Sequence, residues 1–279
     1  MASNRAEIRE HINSITQTRK TTDAMQLISG VMFAKQMACL ERVGSYAREV
    51  RRVTRDALAN CEDIEHPYLG THVEGKRYVL YIGGDLGMCG AYNGNITRFL
   101  TANVPPTVEL HVLGLNQYRM IEAEGYTIAN EPVASAELVQ DDLKLLADEA
   151  LERFASRELH QVDLLYTRYV NPVTFKPMLT RLLPLGAMGE DEDPPGYVYL
   201  EPDPAKLVES LVRLMVETSF YSAFVESGAS EQAARKLAMK NATDNANDLL
   251  DELTLQYNQI RQDEITQEIS EIVGGADAL

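Results

Sequence analysis

The residues with the most obvious chemical potential lie at the end of a strand-like run. Gly83-Gly84-Asp85-Leu86-Gly87-Met88-Cys89-Gly90 follows the apolar stretch KRYVLYI and precedes a short helix-like segment. Backbone amides in such a turn can cradle a phosphate. The glycine spacing is not GxGxxG, however, and no Lys-Ser/Thr follows as a P-loop requires. A tight strand-to-helix turn that needs small residues is the simpler reading. Cys89 would be a nucleophile only beside a base, and the histidines at 11, 66, 72, 111 and 160 are scattered. A small buried thiol fits better. The run Glu190-Asp191-Glu192-Asp193 lacks the spacing of an EF-hand and reads as a solvated loop. Met25, Met32 and Met37 suit core filling or an adaptable face. HExxH and GxSxG are absent, so an enzyme reading has no residues to rest on. No cofactor and no metal are expected.

The elements that would position these residues follow from proline. All 11 prolines lie between Pro67 and Pro204. Proline costs about 3 kcal/mol or more inside a helix, so two proline-free arms predict two long helices around an insert. In the first arm Ile8, Ile12, Ile15, Thr22, Met25 and Met32 fall near one helical stripe. In the last, Met239, Ala242, Ala246, Leu249, Leu253, Tyr257 and Ile260 alternate steps of three and four, the seam of a coiled coil. This last seam is rich in small and polar residues, among them Ala238, Asn241, Thr243 and Asn245. Because the insert returns the chain to its start, the helices should pair antiparallel. Residues 1–60 carry net +4 and residues 206–279 net −7, which favours that pairing.

The insert alternates strand and helix patterns: strands at 76–83, 108–113, 162–170 and 177–185, helices at 93–102, 114–124 and 136–159. That order predicts an α/β domain with a mostly parallel sheet. The division expected is therefore 1–66, 67–204 and 205–279.

Composition narrows the function classes. The 279 residues hold 26 Lys+Arg against 42 Asp+Glu, formally −16, which argues against a surface that tracks nucleic acid. The longest uncharged run, Leu86–Thr97, is too short to span a membrane. Three cysteines without CxxC spacing point to a reducing compartment. The N-terminus lacks the apolar core of a secretion signal.

The last arm is also where a family resemblance is carried. AMKNATDNANDLLDELTLQYNQIRQDEITQEISEIVGG resembles the C-terminal signature of the gamma subunit of F-type rotary ATP synthases. SITQTRKTTDAMQLIS is similar to that family's first helix, and GGDLGMCGAYNGNI to its SDRGLCG-like turn. DLLYTRYVNPVTFKPMLTRLLPL and the stretch from YLEPDP to AMK agree in order and spacing. Asp23 stands where the family usually has Lys, and Gly84 and Leu86 replace its usual Ser and Arg.

The resemblance implies an antiparallel coiled coil with an inserted Rossmann-like α/β domain, a mixed α+β and α/β fold. It implies a central-stalk rotor that couples ion flow to ATP synthesis or hydrolysis without doing bond chemistry itself. The implied partners are the alpha and beta subunits of the catalytic head, the epsilon subunit and the membrane c-ring. It implies no nucleic acid, no membrane insertion, and a peripheral place on the cytoplasmic face of a bacterial plasma membrane. By matched position, Arg261 and Gln262 resemble the pair that hydrogen-bonds a beta-subunit loop, with Thr266 and Glu268 as further contacts. Asp23 and Met25 match the part of the first helix that approaches the beta-subunit lever, and Glu201 the residue that meets the ring. The residue patterns by themselves also suit a non-rotary coiled-coil scaffold with an α/β head.

Overall fold

A computed structural model describes residues 2–60, 66–71, 74–185, 196, 201 and 203–276. Cys61, His72 and the acidic run 190–193 lie outside the described residues. Two long helices, α1 (Ala2–Ala59) and α5 (Pro204–Ala276), carry the proline-free arms. Between them come β1 (Lys76–Ile82), α2 (Tyr92–Asn103), β2 (Glu109–Leu113), α3 (Leu115–Ala123), α4 (Gln140–Ala155), β3 (Leu159–Asn171) and β4 (Thr174–Leu183). The chain divides into two compact units, residues 1–29 with 235–279, and residues 30–234.

The first unit is an antiparallel helical hairpin. Arg5 pairs with Glu264 at 2.9 Å, Arg19 Nη1 donates to Asn247 Oδ1 at 3.3 Å, and the Thr22 and Thr243 hydroxyls meet at 2.7 Å. Numbers rise along α1 as they fall along α5, which fixes the direction. On α1, Ile8, Ile12, Ile15, Arg19 and Thr22 turn inward, and on α5 Met239, Ala246, Leu250, Leu253, Tyr257 and Ile260. Leu249, expected in this seam, is 46% exposed, and Leu250 takes its place. At about 100° per residue, the three-residue step from Ala246 falls about 60° short of a full turn, and the four-residue step overshoots by only about 40°. The seam is thin and partly polar, with Thr22 and Ser29 buried.

The second unit holds a four-stranded sheet in the order β2-β1-β3-β4. β1 runs parallel to both β2 and β3, and β4 is antiparallel to β3. A central parallel strand is covered on both faces and needs apolar residues on each. β1 supplies them by alternation. Tyr78, Leu80 and Ile82 face a core with Leu143, Leu151 and Phe154 of α4, Val212, Val216 and Phe220 of α5, and Val50 of α1. Val79 and Tyr81 face the other core, with Ile96 and Leu100 of α2 and Ile121 of α3.

Three expectations are corrected here. Met32 is 47% exposed, because ten residues from Thr22 leave it about 80° off the stripe, and Phe33 turns inward instead. α4 ends at Ala155 rather than running to 159: Arg157 adopts φ +64, outside the helical region, and Leu159 already pairs with Lys76 in the sheet. β4 begins at Thr174, so Pro177 lies inside it opposite Thr167. As the outer strand of the sheet, β4 tolerates a residue that cannot donate.

Candidate functional site

The glycine turn is filled by the chain's own atoms. A Cβ at Gly83 would lie 2.2 Å from Gln117 Cγ, and one at Gly84 would lie 2.7 Å from Asn93 Oδ1. Gln117 Oε1 accepts from the Thr97 hydroxyl at 2.9 Å and from the buried Tyr81 hydroxyl. Burial pushes the Tyr81 phenol well above its ordinary pKa, so it remains a donor. Beside them the Asp85 carboxylate accepts four bonds: from the amides of Leu115 (3.1 Å), Ser135 (2.8 Å) and Ala136 (3.0 Å), and from the Ser135 hydroxyl (3.2 Å). The Asp85 side chain thus takes up these amides itself, and it ties the turn to the start of α3 and to the segment at 135–136. The turn is a structural latch. Cys89 is buried, its Sγ 3.8 Å from the Leu86 carbonyl oxygen. Sequence reasoning missed Asp85 and Gln117. The available signal was an acid directly after the Gly-Gly pair that ends β1.

A second buried charge was equally invisible. Asp163 on β3 accepts from Arg77 Nε at 2.6 Å and from Gln161 Nε2 at 2.7 and 2.8 Å. Arg77 comes from the neighbouring strand, so the pairing depends on sheet register.

The expected partner-contact residues fall into both units. Asp23, Met25, Arg261, Gln262, Thr266 and Glu268 belong to the helical hairpin, and Glu201, just before α5, to the other unit. All are exposed except Met25, which is half-buried. Among the described residues no carboxylate pairs with Arg261. The Thr266 hydroxyl donates back to the Gln262 carbonyl at 2.9 Å. Arg261 and Gln262 do not share a face. Helical geometry sets them about 100° apart, with Arg261 and Glu268 flanking the seam and Gln262 and Thr266 turned away from it. Leu255, Ile265 and Ile269 are exposed on that outer side, and so are Leu27 and Ile28 on α1. The hairpin therefore offers an outward surface of mixed apolar and polar side chains over a narrow seam.

A family model described as ATP synthase matches residues 4–279. The ATP synthase gamma chain of Clostridium perfringens (strain 13 / Type A) is 34% identical over 278 residues, covering 98% of this chain and 97% of its own. That of Frankia casuarinae is 37% identical over 297 residues, covering 100% and 99%. Among solved structures, a chain of the Euglena gracilis mitochondrial ATP synthase (OSCP/F1/c-ring, rotational state 3) superposes with TM-score 0.69 at 19% identity, covering 100% of this chain and 95% of that one. A chain of the Tetrahymena thermophila mitochondrial ATP synthase central stalk and c-ring gives 0.59 at 20% identity, covering 80% and 99%. These two likenesses concern the fold.

Proposed function

The chain belongs to the ATP synthase gamma family, and from that premise we propose that it is the central-stalk rotor of an F-type ATP synthase. The observation that carries this reading is the antiparallel hairpin with exposed Arg261, Gln262, Thr266 and Glu268 side chains along its outer surface. One asymmetric shaft cannot be equivalent to several chemically identical beta subunits. It touches each differently, and those differential contacts bias each subunit toward a different conformation. Rotation passes the biases on in sequence. A shaft that turns needs contacts that form at one angle and release at the next, and exposed Arg, Gln, Thr and Glu side chains provide them.

In this reading Arg261, Gln262, Thr266 and Glu268, with Asp23 and Met25 on α1, meet the beta subunits. The roughly 100° between Arg261 and Gln262 assigns them to different neighbours at any one angle. Glu201 meets the membrane ring, and the epsilon subunit joins the same stalk. Residues 1–66 and 205–279 serve as the shaft arms and 67–204 as the ring-side domain. The chain itself catalyses nothing, a reading supported by the self-filled glycine turn. No described helix is long and apolar enough to cross a membrane. Together with the bacterial relatives, this supports a peripheral place on the cytoplasmic face of the plasma membrane. The family match lends no support to a non-rotary scaffold.

Reassembly with alpha and beta subunits tests the proposal. One copy per six-subunit head, with ATP turnover that needs this chain, is the expected result. A symmetric homo-oligomer that ignores the head would overturn it.

A further inference from the structure

A cleft of about 1190 Å³ opens in the second unit between α1, β3 and α5. α1 brings Arg48, Arg51, Arg52 and Arg55, spaced i, i+3, i+4 and i+7, which places them on adjoining rows of one helix side. β3 adds Tyr166 and Arg168, two residues apart and so on one face of the sheet. Five guanidinium groups thus line one trough in a chain of net charge −16.

Two of the five are already engaged. Arg52 pairs with Glu49 at 2.8 Å and lies 3.7 Å from Asp56, and Arg55 pairs with Asp56 at 3.2 Å. Arg48, Arg51 and Arg168 make no ion pair among the described residues. The Arg48 guanidinium lies close over Gly44, whose added Cβ would sit 3.7 Å from Nη1. The one acid contributed by α5, Glu226, is bound by the Tyr169 amide at 3.2 Å. Burial raises its pKa, while the Tyr169 amide, the nearby Arg168 charge and Tyr166 pull the other way. Like charges gathered this closely repel, and with 42 acids in the chain, leaving Arg48 and Arg51 without an ion pair among the described residues and Arg168 facing only Glu226 matches an anion from outside.

The shape selects the anion. The trough follows α1 from Met37 to Arg55, roughly 27 Å of helix at 1.5 Å per residue. Small-ligand sites are typically about 300–1,000 Å³ and compact. Met37, Leu40, Gly44 and Ala47, with Glu41 beside them, line one end, whereas the arginines concentrate at the other. Guanidinium forks match carboxylates in planar, paired geometry. We infer that this cleft is a docking trough for an acidic peptide segment of a partner protein, with apolar side chains toward Met37 and Leu40 and carboxylates on Arg48, Arg51 and Arg168. This goes beyond the rotor reading and does not depend on it.

The test uses the purified full chain and a fluorescein-labelled peptide of repeated Glu-Glu-Leu, followed by anisotropy. A triple variant Arg48→Gln/Arg51→Gln/Arg168→Gln is compared with Arg98→Gln/Arg119→Gln/Lys144→Gln, which removes the same charge elsewhere in the unit. Thermal melting checks that both fold, and Arg51→Lys serves as a milder variant if the triple does not. The expected result is a loss of affinity of about tenfold or more in the trough variant, with the control within about twofold of the parent. Binding should weaken as salt rises through the range where the Debye length falls below about 10 Å. Equal losses in both variants, or no peptide binding to the parent, overturn the proposal. So does trough-dependent binding of pyrophosphate or a single-stranded oligonucleotide in the peptide's place.

Discussion

Joining Thr22 to Thr243 covalently tests the hairpin and its mechanical role together. The two hydroxyl oxygens are 2.7 Å apart across the seam. Cysteines at both positions therefore need little side-chain movement to reach disulfide geometry, with Cβ atoms about 3.8 Å apart. The positions are separated by 221 residues along the chain. Chain-entropy arguments give roughly 5 kcal/mol for closing a loop of that size, and engineered bridges commonly deliver about 2–4 kcal/mol. For a chain this long that corresponds to a rise of about 5–10 °C in Tm between reduced and oxidised forms. In a background lacking the native cysteines, Thr22→Cys/Thr243→Cys should oxidise within one chain, shift mobility on a non-reducing gel and melt higher. Thr22→Cys/Leu249→Cys should not, because Leu249 turns out of the seam. Assembled with its head, the bridged chain should support ATP turnover at the parental rate, since both arms of a shaft turn as one body. Disulfides only between chains, or none, would refute the antiparallel register. A bridge that forms but stops turnover would refute a hairpin that rotates without opening.

Arg261→Ala and Gln262→Ala should each slow turnover of the assembled complex by about tenfold, the effect of one charge-assisted hydrogen bond worth roughly 1.5–3 kcal/mol, without changing stoichiometry or the chain's melting. Parental rates in both would show that neither contact transmits torque. Asp163→Asn should destabilise the chain by about 3 kcal/mol in urea titration, because Arg77 would keep a charge whose buried partner is gone. A loss below about 1 kcal/mol would show that the pair is not a constraint on the sheet. His111, pushed down to about 4 chiefly by burial, resists the proton that the unfolded chain takes up from 6.5 downward. Stability is therefore full above pH 6.5 and falls by up to about 3 kcal/mol as pH drops toward 4. His111→Gln should flatten that part of the acid-unfolding curve, and an unchanged slope would contradict it.

The sequence made the arms and the sheet legible because both leave strong periodic marks. Proline exclusion outlined α1 and α5, and the run at 76–83 carried the pattern of a buried strand, which the structure covers on both faces. The misses have local causes. Met32 and Leu249 are apolar and near the right phase, but a few tens of degrees decide between seam and surface, and neighbouring Phe33 and Leu250 were available. The end of α4 turned on one positive φ at Arg157, a residue type that does not advertise it. Asp85, Gln117 and Asp163 owe their roles to partners 50, 36 and 86 residues away, which spacing does not reveal. The arginine trough was half visible: the i, i+3, i+4, i+7 run on α1 is in the sequence, whereas Arg168 joins it only through the fold. The partner-contact residues were placed by family resemblance, and helix geometry then separated Arg261 from Gln262.

As a central-stalk rotor, this chain turns inside a catalytic head. Observing single assembled complexes with the head fixed and a bead attached at Glu201→Cys tests it most directly, because Glu201 is exposed and lies outside the hairpin unit. A rotor should let ATP drive the bead in one direction, with one pause per turn for each beta subunit, and the bead should stop when ATP is exhausted. A bead that stays still or moves at random while the same complexes hydrolyse ATP at full rate would contradict rotation.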